Sequence, residues 1–473
     1  RLSLVGSEMC IRDRLPRYAF PVDVVPLYIK APQKYQISED VSRDLQIALS
    51  EFAPGSELVI DGKEYEAVGL YDHFQSGSYM PQGQFYQCQT CRAVAYQTLN
   101  PQGQLPHQWP TSCVSCGAPH DPKQAMFAIR PPGFRTDWKA AVKKYRGGQQ
   151  DKAGYASTAQ LEVGGAVDSG FLQWDDRLWV YAREQCDLYS VNRGPDHPAT
   201  GFWICSACGR GLPKKDAKHP SPETGQDCGG RAKAQSILLH TLRSDVVLFG
   251  LNLPSGYNGD PRTTAGRAVW LSLGSALLRA ASAELQIDPS ELAMGIRPWQ
   301  RGAGILGAEV YLYDTLPNGA GYAQAIAKSE VLTRILQRAT TICRDCTCKG
   351  ACYSCLLDHS NQSFHALLDR RLAFDTLDFI QTGRLPVVQS ADAQRTLKYL
   401  EDFAIPRTSL HPIEDDMVEI HFADHQATLF LKPRHPLMQR TSNSSFAYPT
   451  TFDLERRPFW VWTKLMEQTF DLL

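Results

Sequence analysis

Fourteen cysteines stand in this chain, and most of them fall in close pairs. A thiol can be a nucleophile, half of a disulfide or a metal ligand, and spacing separates these uses. Secreted scaffolds scatter cysteines at loop spacings in short chains, whereas repeated Cys-x-x-Cys in a long chain is the pattern of tetrahedral zinc sites. Cys88 and Cys91 in FYQCQTC and Cys113 and Cys116 in TSCVSC make two knuckles separated by about twenty residues, which suits a zinc ribbon. Cys205 and Cys208 make another knuckle and Cys228 adds a third thiolate. His219 lies between them at a spacing that completes a tetrahedron, with Cys186 as the competing fourth ligand. Cys343, Cys346, Cys348, Cys352 and Cys355 then crowd into thirteen residues, a density that points to metal. Four protein donors close a zinc site, and a catalytic zinc needs an open position, so up to three structural Zn2+ ions are expected.

Two other stretches carry chemistry. IRPPGFRTDWKAAVKKYRGG sets six cations, Arg130, Arg135, Lys139, Lys143, Lys144 and Arg146, against the single acid Asp137. This reads either as a solvated helix face or as a surface for phosphates, with Phe134, Trp138 and Tyr145 interleaved. The turn Asp314-Thr315-Leu316-Pro317-Asn318-Gly319-Ala320-Gly321 joins a strand to a helix, a geometry that suits either a phosphate cradle or a purely structural cap. Helical spacing from Asn361 sets His365 and Asp369 on one side, as a general-base pair or a buried polar clasp.

The elements positioning these residues come from 473 residues that are 43% apolar and 10% aromatic, enough for several packed cores. Forty-nine basic residues balance 50 acidic ones, so any polyanion contact must be local. Filling three sites with eleven thiolates takes the formal charge from −1 to about −6. The sequence has no run of eighteen apolar residues and no secretory n- and h-region pattern, which predicts a cytoplasmic chain.

The expected fold class is α+β and multidomain, with zinc-ribbon-like modules beside a mixed helix and strand zinc-binding domain. Residues 1–14 read as a non-native leader and 15–84 as a β-rich entry. The strand around Val22 to Ile29, a helix from Ser42, and a hairpin turning at Asp61-Gly62 belong there. The zinc ribbon spans 85–120, and an α/β region with the second knuckle spans 121–235. In that region LWVYAREQCDLYSVNRG reads as two strands. SILLHTLRSDVVLFGLNL reads as a strand pair. RAVWLSLGSALLRAASAELQI has the period of an amphipathic helix, and SEVLTRILQRATTI continues helical. A C-terminal α+β region from 381 to 473 holds a hairpin of VEIHF with ATLFL and a last helix in PFWVWTKLMEQTF.

The block from Ser236 to Phe379 resembles the MrfA-type zinc-binding domain, which follows the motor in a set of DEAD/DEAH-box superfamily-two helicases and occurs in DrmB-like phage-defence proteins. The resemblance rests on SLGSALLRAASAEL, on YLYDTLPNGAGYA, and on CTCKGACYSCL followed by Asn361-Gln362, a histidine and LLDR. It implies Cys346, Cys348, Cys352 and Cys355 as ligands and leaves Cys343 spare. His359, where the family pattern suggests an aromatic, is an alternative ligand or a surface histidine. LPRYAFPVDVV, RPPGFRTD, VNRGPDHPATGFWICSACGR and LERRPFWVW extend the similarity toward the region after the second motor lobe.

No GxxxxGK[ST] loop or acidic metal box accompanies these motifs, so this chain alone is not expected to hydrolyse ATP. The expected function is an accessory region of, or a partner subunit to, a DNA helicase in repair or phage defence, contacting single-stranded DNA and helicase motor domains in cis or in trans. The alternatives are a zinc-stabilised interaction scaffold and a metal-dependent nuclease.

Overall fold

The computed structural model describes residues 23–29, 41–72, 79–145, 147, 154, 156–157, 159–162, 172–173, 175–195, 200–301, 305–423, 427–439 and 445–470. The expected leader and Arg146 lie outside them. The chain divides into two compact units: 1–166 with 184–245 and 314–321, and 167–183 with 246–313 and 322–473.

In the first unit the Asp61-Gly62 signal makes its hairpin. Ile60 faces Lys63, and both turn residues take the left-handed φ (49° and 70°) that a two-residue connection with the strands' twist requires. Strand Val24–Tyr28 pairs antiparallel with Val41–Asp44 and parallel with Phe134–Thr136. The helix expected from Ser42 begins at Leu45, because Asp44 caps it by accepting from the Gln46 N–H at 3.0 Å. Leu45, Ala48 and Leu49 then join Leu27, Ala67, Phe134 and Leu238 in one core. A further sheet pairs Gly83–Gln87 with Val94–Thr98 and Met126–Ile129, the last running parallel to Ser236–Leu238.

Three expectations are corrected here. SILLHTLRSDVVLFGLNL lies in one continuous strand, Ala232–Leu251, rather than a pair, and LWVYAREQCDLYSVN is likewise one strand, Leu178–Asn192. The polar interruption Thr241 to Ser244 contains no glycine or proline, and its polar groups find partners: Arg243 C=O accepts from Asn318 N–H at 2.8 Å, and the Ser244 hydroxyl donates to Asp314 C=O at 2.6 Å. In the other strand the irregularity is absorbed at Gln185, with φ 54°. The basic stretch, too, is not a helix; its regular parts are the strands Phe134–Thr136 and Lys143–Lys144.

The second unit is organised around the helix Thr264–Leu285. Thr263 caps it through the Gly266 N–H at 3.0 Å, and Gln286 ends it in the left-handed region at φ 56°. Its small residues, including Ala268, Ser272, Ser275 and Ala276, are buried on nearly every side, as befits a central helix. A Cβ on Gly274 would lie 1.9 Å from the Met294 side chain, so this position admits only glycine without repacking. Around it pack the helices Ser329–Asp345 and Arg370–Thr382 and the strand Leu292–Arg301. Val246–Gly250 pairs antiparallel with Glu309–Tyr313. Toward the C-terminus the expected hairpin forms, with Ile420 opposite Leu429, and a third strand, Thr408–Glu414, joins it. Leu400, Ile420, Leu431, Leu454 and Trp462 close this core beneath the expected last helix, Pro458–Phe470.

Candidate metal centres

The twelve expected ligands fall into three groups, each with its four donor atoms within 4.8 Å of one another: Cys88, Cys91, Cys113 and Cys116; Cys205, Cys208, His219 and Cys228; and Cys346, Cys348, Cys352 and Cys355. With Zn–S bonds of about 2.3 Å, a regular tetrahedron has sulfur–sulfur edges of about 3.8 Å. The sulfur separations are 3.7 Å for Cys88 and Cys116 and for Cys91 and Cys113, 3.9 Å for Cys205 and Cys228, and 3.6 to 3.7 Å in the third group. The donor sets therefore fit the ion they imply.

Local backbone chemistry builds the knuckles. Cys88 follows the strand Gly83–Gln87 directly and Cys91 precedes the strand Val94–Thr98; Arg92 N–H donates back to Cys88 C=O at 2.8 Å, with Arg92 at φ 66°. The same loop recurs at Cys113 and Cys205, where Gly117 and Gly209 hold the left-handed position (φ 69° and 74°) and return the equivalent bonds at 2.8 and 2.9 Å. A left-handed residue after the second cysteine turns both sulfurs to one side, and glycine adopts it without strain.

In the second group the structure places His219, and not Cys186, beside the three cysteines. His219 Nδ1–H donates to Ala217 C=O at 2.8 Å, which fixes the tautomer and leaves the Nε2 lone pair 3.3 Å from Cys208 Sγ. Cys186 is a buried strand residue outside the group.

The third centre is clamped from the following helix. Arg370 donates through Nε to Cys348 C=O at 2.8 Å and through Nη1 to Cys343 C=O at 3.0 Å. Cys343 itself is fully buried in the helix Ser329–Asp345, and burial pushes its thiol up to about 12, so it stays a protonated, apolar filler. His359 is exposed and faces Gln362 rather than the cysteines. Asn361 donates to Leu356 C=O at 2.8 Å, and His365 Nε2 lies 2.7 Å from Asn361 Oδ1, a clasp on the cysteine loop. The expected His365/Asp369 pair does not form. The chain between them is a 3-10 segment, His359–Leu367, and Asp369 instead caps the next helix through Arg371 N–H at 2.9 Å.

The turn from Asp314 to Gly321 is occupied by acids. Asp314 Oδ2 accepts from Ala320 N–H at 2.6 Å, and a Cβ on Gly319 would lie 2.4 Å from the Asp245 carboxylate. Negative groups already take the place a phosphate would need, so the structural alternative describes this turn.

Of the six expected DNA-contacting cations, the five described ones separate. Lys139, Lys143 and Lys144 are exposed, and Arg130 is half-exposed beside Asp23 at 2.5 Å. Arg135 is 1% exposed, with its guanidinium 3.8 Å from the Trp138 ring centre, which withdraws it from any surface role. Among the described residues no helix is long and apolar enough to cross a membrane.

Eleven cysteines and one histidine, gathered in three four-donor sets within an α+β chain, mark a zinc-binding protein. Residues 273–356 match the MrfA Zn-binding domain, MZB, so the chain carries an MZB-type domain that includes the third centre. It is 26% identical over 419 residues to Druantia protein DruE of Escherichia coli (strain UMEA 4076-1), covering 80% of this chain and 22% of that protein. Among solved structures it is similar to the DUF1998 helicase MrfA bound to DNA, at 12% identity and TM-score 0.36, covering 80% of this chain and 36% of that one. The same helicase bound to DNA and AMPPNP gives 11% identity and TM-score 0.29 over 76% and 31%. The chain thus spans about a fifth to a third of the length of these relatives.

Proposed function

We propose that this chain is the zinc-stabilised accessory region of a superfamily-two DNA helicase, fused to the motor lobes or acting beside them, and that it holds single-stranded DNA in the cytoplasm during phage defence or repair. The observation that carries this reading is the MZB match over 273–356, centred on a closed four-thiolate site, in a chain similar over most of its length to a Druantia protein. With every zinc position taken by protein, the metal supplies rigidity when bound: it joins distant loops so that surrounding helices and strands keep one arrangement. This disfavours the metal-dependent nuclease, which needs a metal-bound water.

The DNA-holding surface is assigned to the exposed cations Lys139, Lys143 and Lys144, with Arg130 at its margin. Charge reversal tests it. Lys143→Glu with Lys144→Glu is expected to weaken binding of a labelled oligothymidylate and to flatten its log K against log salt slope by about 1.4, since each single-strand phosphate contact contributes about 0.7. Fluorescence anisotropy across a salt titration checks this. Unchanged affinity and slope would return the patch to plain solvated surface, and no DNA binding by the parent chain would favour the protein-interaction scaffold.

A further inference from the structure

The second unit contains a cavity of about 270 Å³ that none of the metal centres uses. Trp179, Trp270, Trp299 and Tyr257 line it together with aliphatic side chains and Asn258; Trp179 and Trp270 are almost fully buried, at 2% and 1% exposed, so Trp299 is the indole most open to it. Among the described residues no acidic or basic side chain lines it. A cavity of this composition has nothing to neutralise a phosphate or a carboxylate, whereas indole faces favour a flat, neutral ring. Its size falls just below the about 300–1,000 Å³ of pockets for drug-sized ligands and has room for one small ring system.

Asn258 supplies the polar half of the argument. It is 8% exposed, and its backbone N–H donates to Leu437 C=O at 2.8 Å. Its carboxamide makes no hydrogen bond to another described residue and is not among the side-chain groups shut off from solvent, so it is open to the cavity. A carboxamide that is accessible and uncommitted within the fold can pair with a ligand at little cost. This one borders a cavity and presents an acceptor beside two donors, the pattern that pairs with the mixed donor and acceptor edge of a nucleobase.

The walls are held in place from behind. Trp179 and Trp299 approach at 5.7 Å between ring centres but are tilted by 48°, so they do not stack face to face on each other. Tyr181 stacks along Trp179 at 6.5 Å and 11°, and its hydroxyl receives a hydrogen bond from Arg297 Nη2 at 2.5 Å. Arg297 also pairs with the buried Glu309 and lies 6.0 Å from the Trp299 ring centre. Trp270 is fixed by its Nε1–H bond to Gly259 C=O at 2.6 Å. A site whose aromatic walls are pre-set loses little freedom when a flat ring enters.

We propose that this cavity receives one unstacked nucleobase of a bound single strand, with the ring against the Trp299 indole and its polar edge hydrogen-bonded by the Asn258 carboxamide. This rests on the proposed DNA contact and deepens it by assigning the second unit a base-binding site of its own. Proteins that track single strands combine basic tracks with aromatic platforms.

The test uses the full zinc-loaded chain and two labelled 12-mers, oligothymidylate and an abasic strand with the same number of phosphates. Oligothymidylate is expected to bind about tenfold more tightly, the scale of one stacked base, and to quench tryptophan fluorescence, whereas the abasic strand does not. Trp299→Ala and Asn258→Leu should each bring the ratio of the two affinities to within about twofold, with binding of the abasic strand and zinc content unchanged. Asn258→Leu is close in volume and keeps the test alive if Trp299→Ala does not fold. Equal binding of both strands by the parent chain would overturn the base pocket while leaving the DNA contact standing. A base preference that survives both substitutions would place it elsewhere and also overturn the proposal. Binding of neither strand would overturn both readings.

Discussion

Replacing Cys352 with serine releases one of three zinc equivalents and melts the helices around the third centre. Cys352 carries more than a sulfur at 3.6 to 3.7 Å from Cys346 and Cys355. Its carbonyl accepts the N–H groups of Cys355, Leu356 and Leu357 at 3.0 Å, so the loop folds back around this residue. Apparent zinc binding free energies in small structural sites are about 10–16 kcal/mol, while whole domains are stable by only about 5–15 kcal/mol. Loss of one ligand therefore removes a stabilisation comparable to that of the folded unit. Arg370, which bonds Cys343 and Cys348 carbonyls, loses its place at the same time, and with it the link from the cysteine loop to the helix Arg370–Thr382. Elemental analysis should give two zinc per chain, and hydrogen exchange should rise across 329–382. A variant that keeps three zinc and full protection would remove Cys352 from the ligand set.

Breaking the buried pair Arg297 with Glu309 is expected to be nearly as damaging. Glu309 is fully buried and Arg297 almost so, and burial pushes the Glu309 carboxyl up against the opposing pull of the guanidinium. Arg297→Met strands a carboxylate in the core and should cost about 3–5 kcal/mol. At about 2–4 °C per kcal/mol for units of this size, the melting temperature falls by roughly 10 °C. Adding Glu309→Leu should restore most of the loss, because removing both charges together leaves none unpaired. Thermal unfolding of the single and double variants checks this; a single variant as stable as the parent would show that the pair is dispensable.

The sequence was most legible where chemistry is local. A Cys-x-x-Cys knuckle, an Asp-Gly turn or an N-cap is decided by neighbouring residues, so the first cysteine group and the first hairpin follow from spacing, whereas in the third group it took the family resemblance to set Cys343 aside. His219 was within reach of spacing too, lying between its partners along the chain. What escaped depends on contacts far apart in sequence. Nothing near Thr241 to Ser244 says that the strand runs on, because Asn318 and Asp314 satisfy its polar groups from seventy residues or more away. Arg135 sits among lysines in the sequence yet stacks on Trp138 in the core. Helical spacing misplaced His365 against Asp369 because a 3-10 segment, capped by Asp358, intervenes. The cavity beside Asn258 gathers residues from Trp179 to Ala308 and leaves no mark in any single stretch.

The account depends on metal centres sealed by protein donors. X-ray absorption at the zinc edge of the fully loaded chain tests this most directly. Eleven thiolates and one imidazole over three ions predict a first shell dominated by sulfur at about 2.3 Å, with one light-atom ligand for every three zinc. A shell with one or more oxygen ligands per zinc at about 2.0–2.2 Å would mean open coordination positions and would contradict the structural role assigned to these centres.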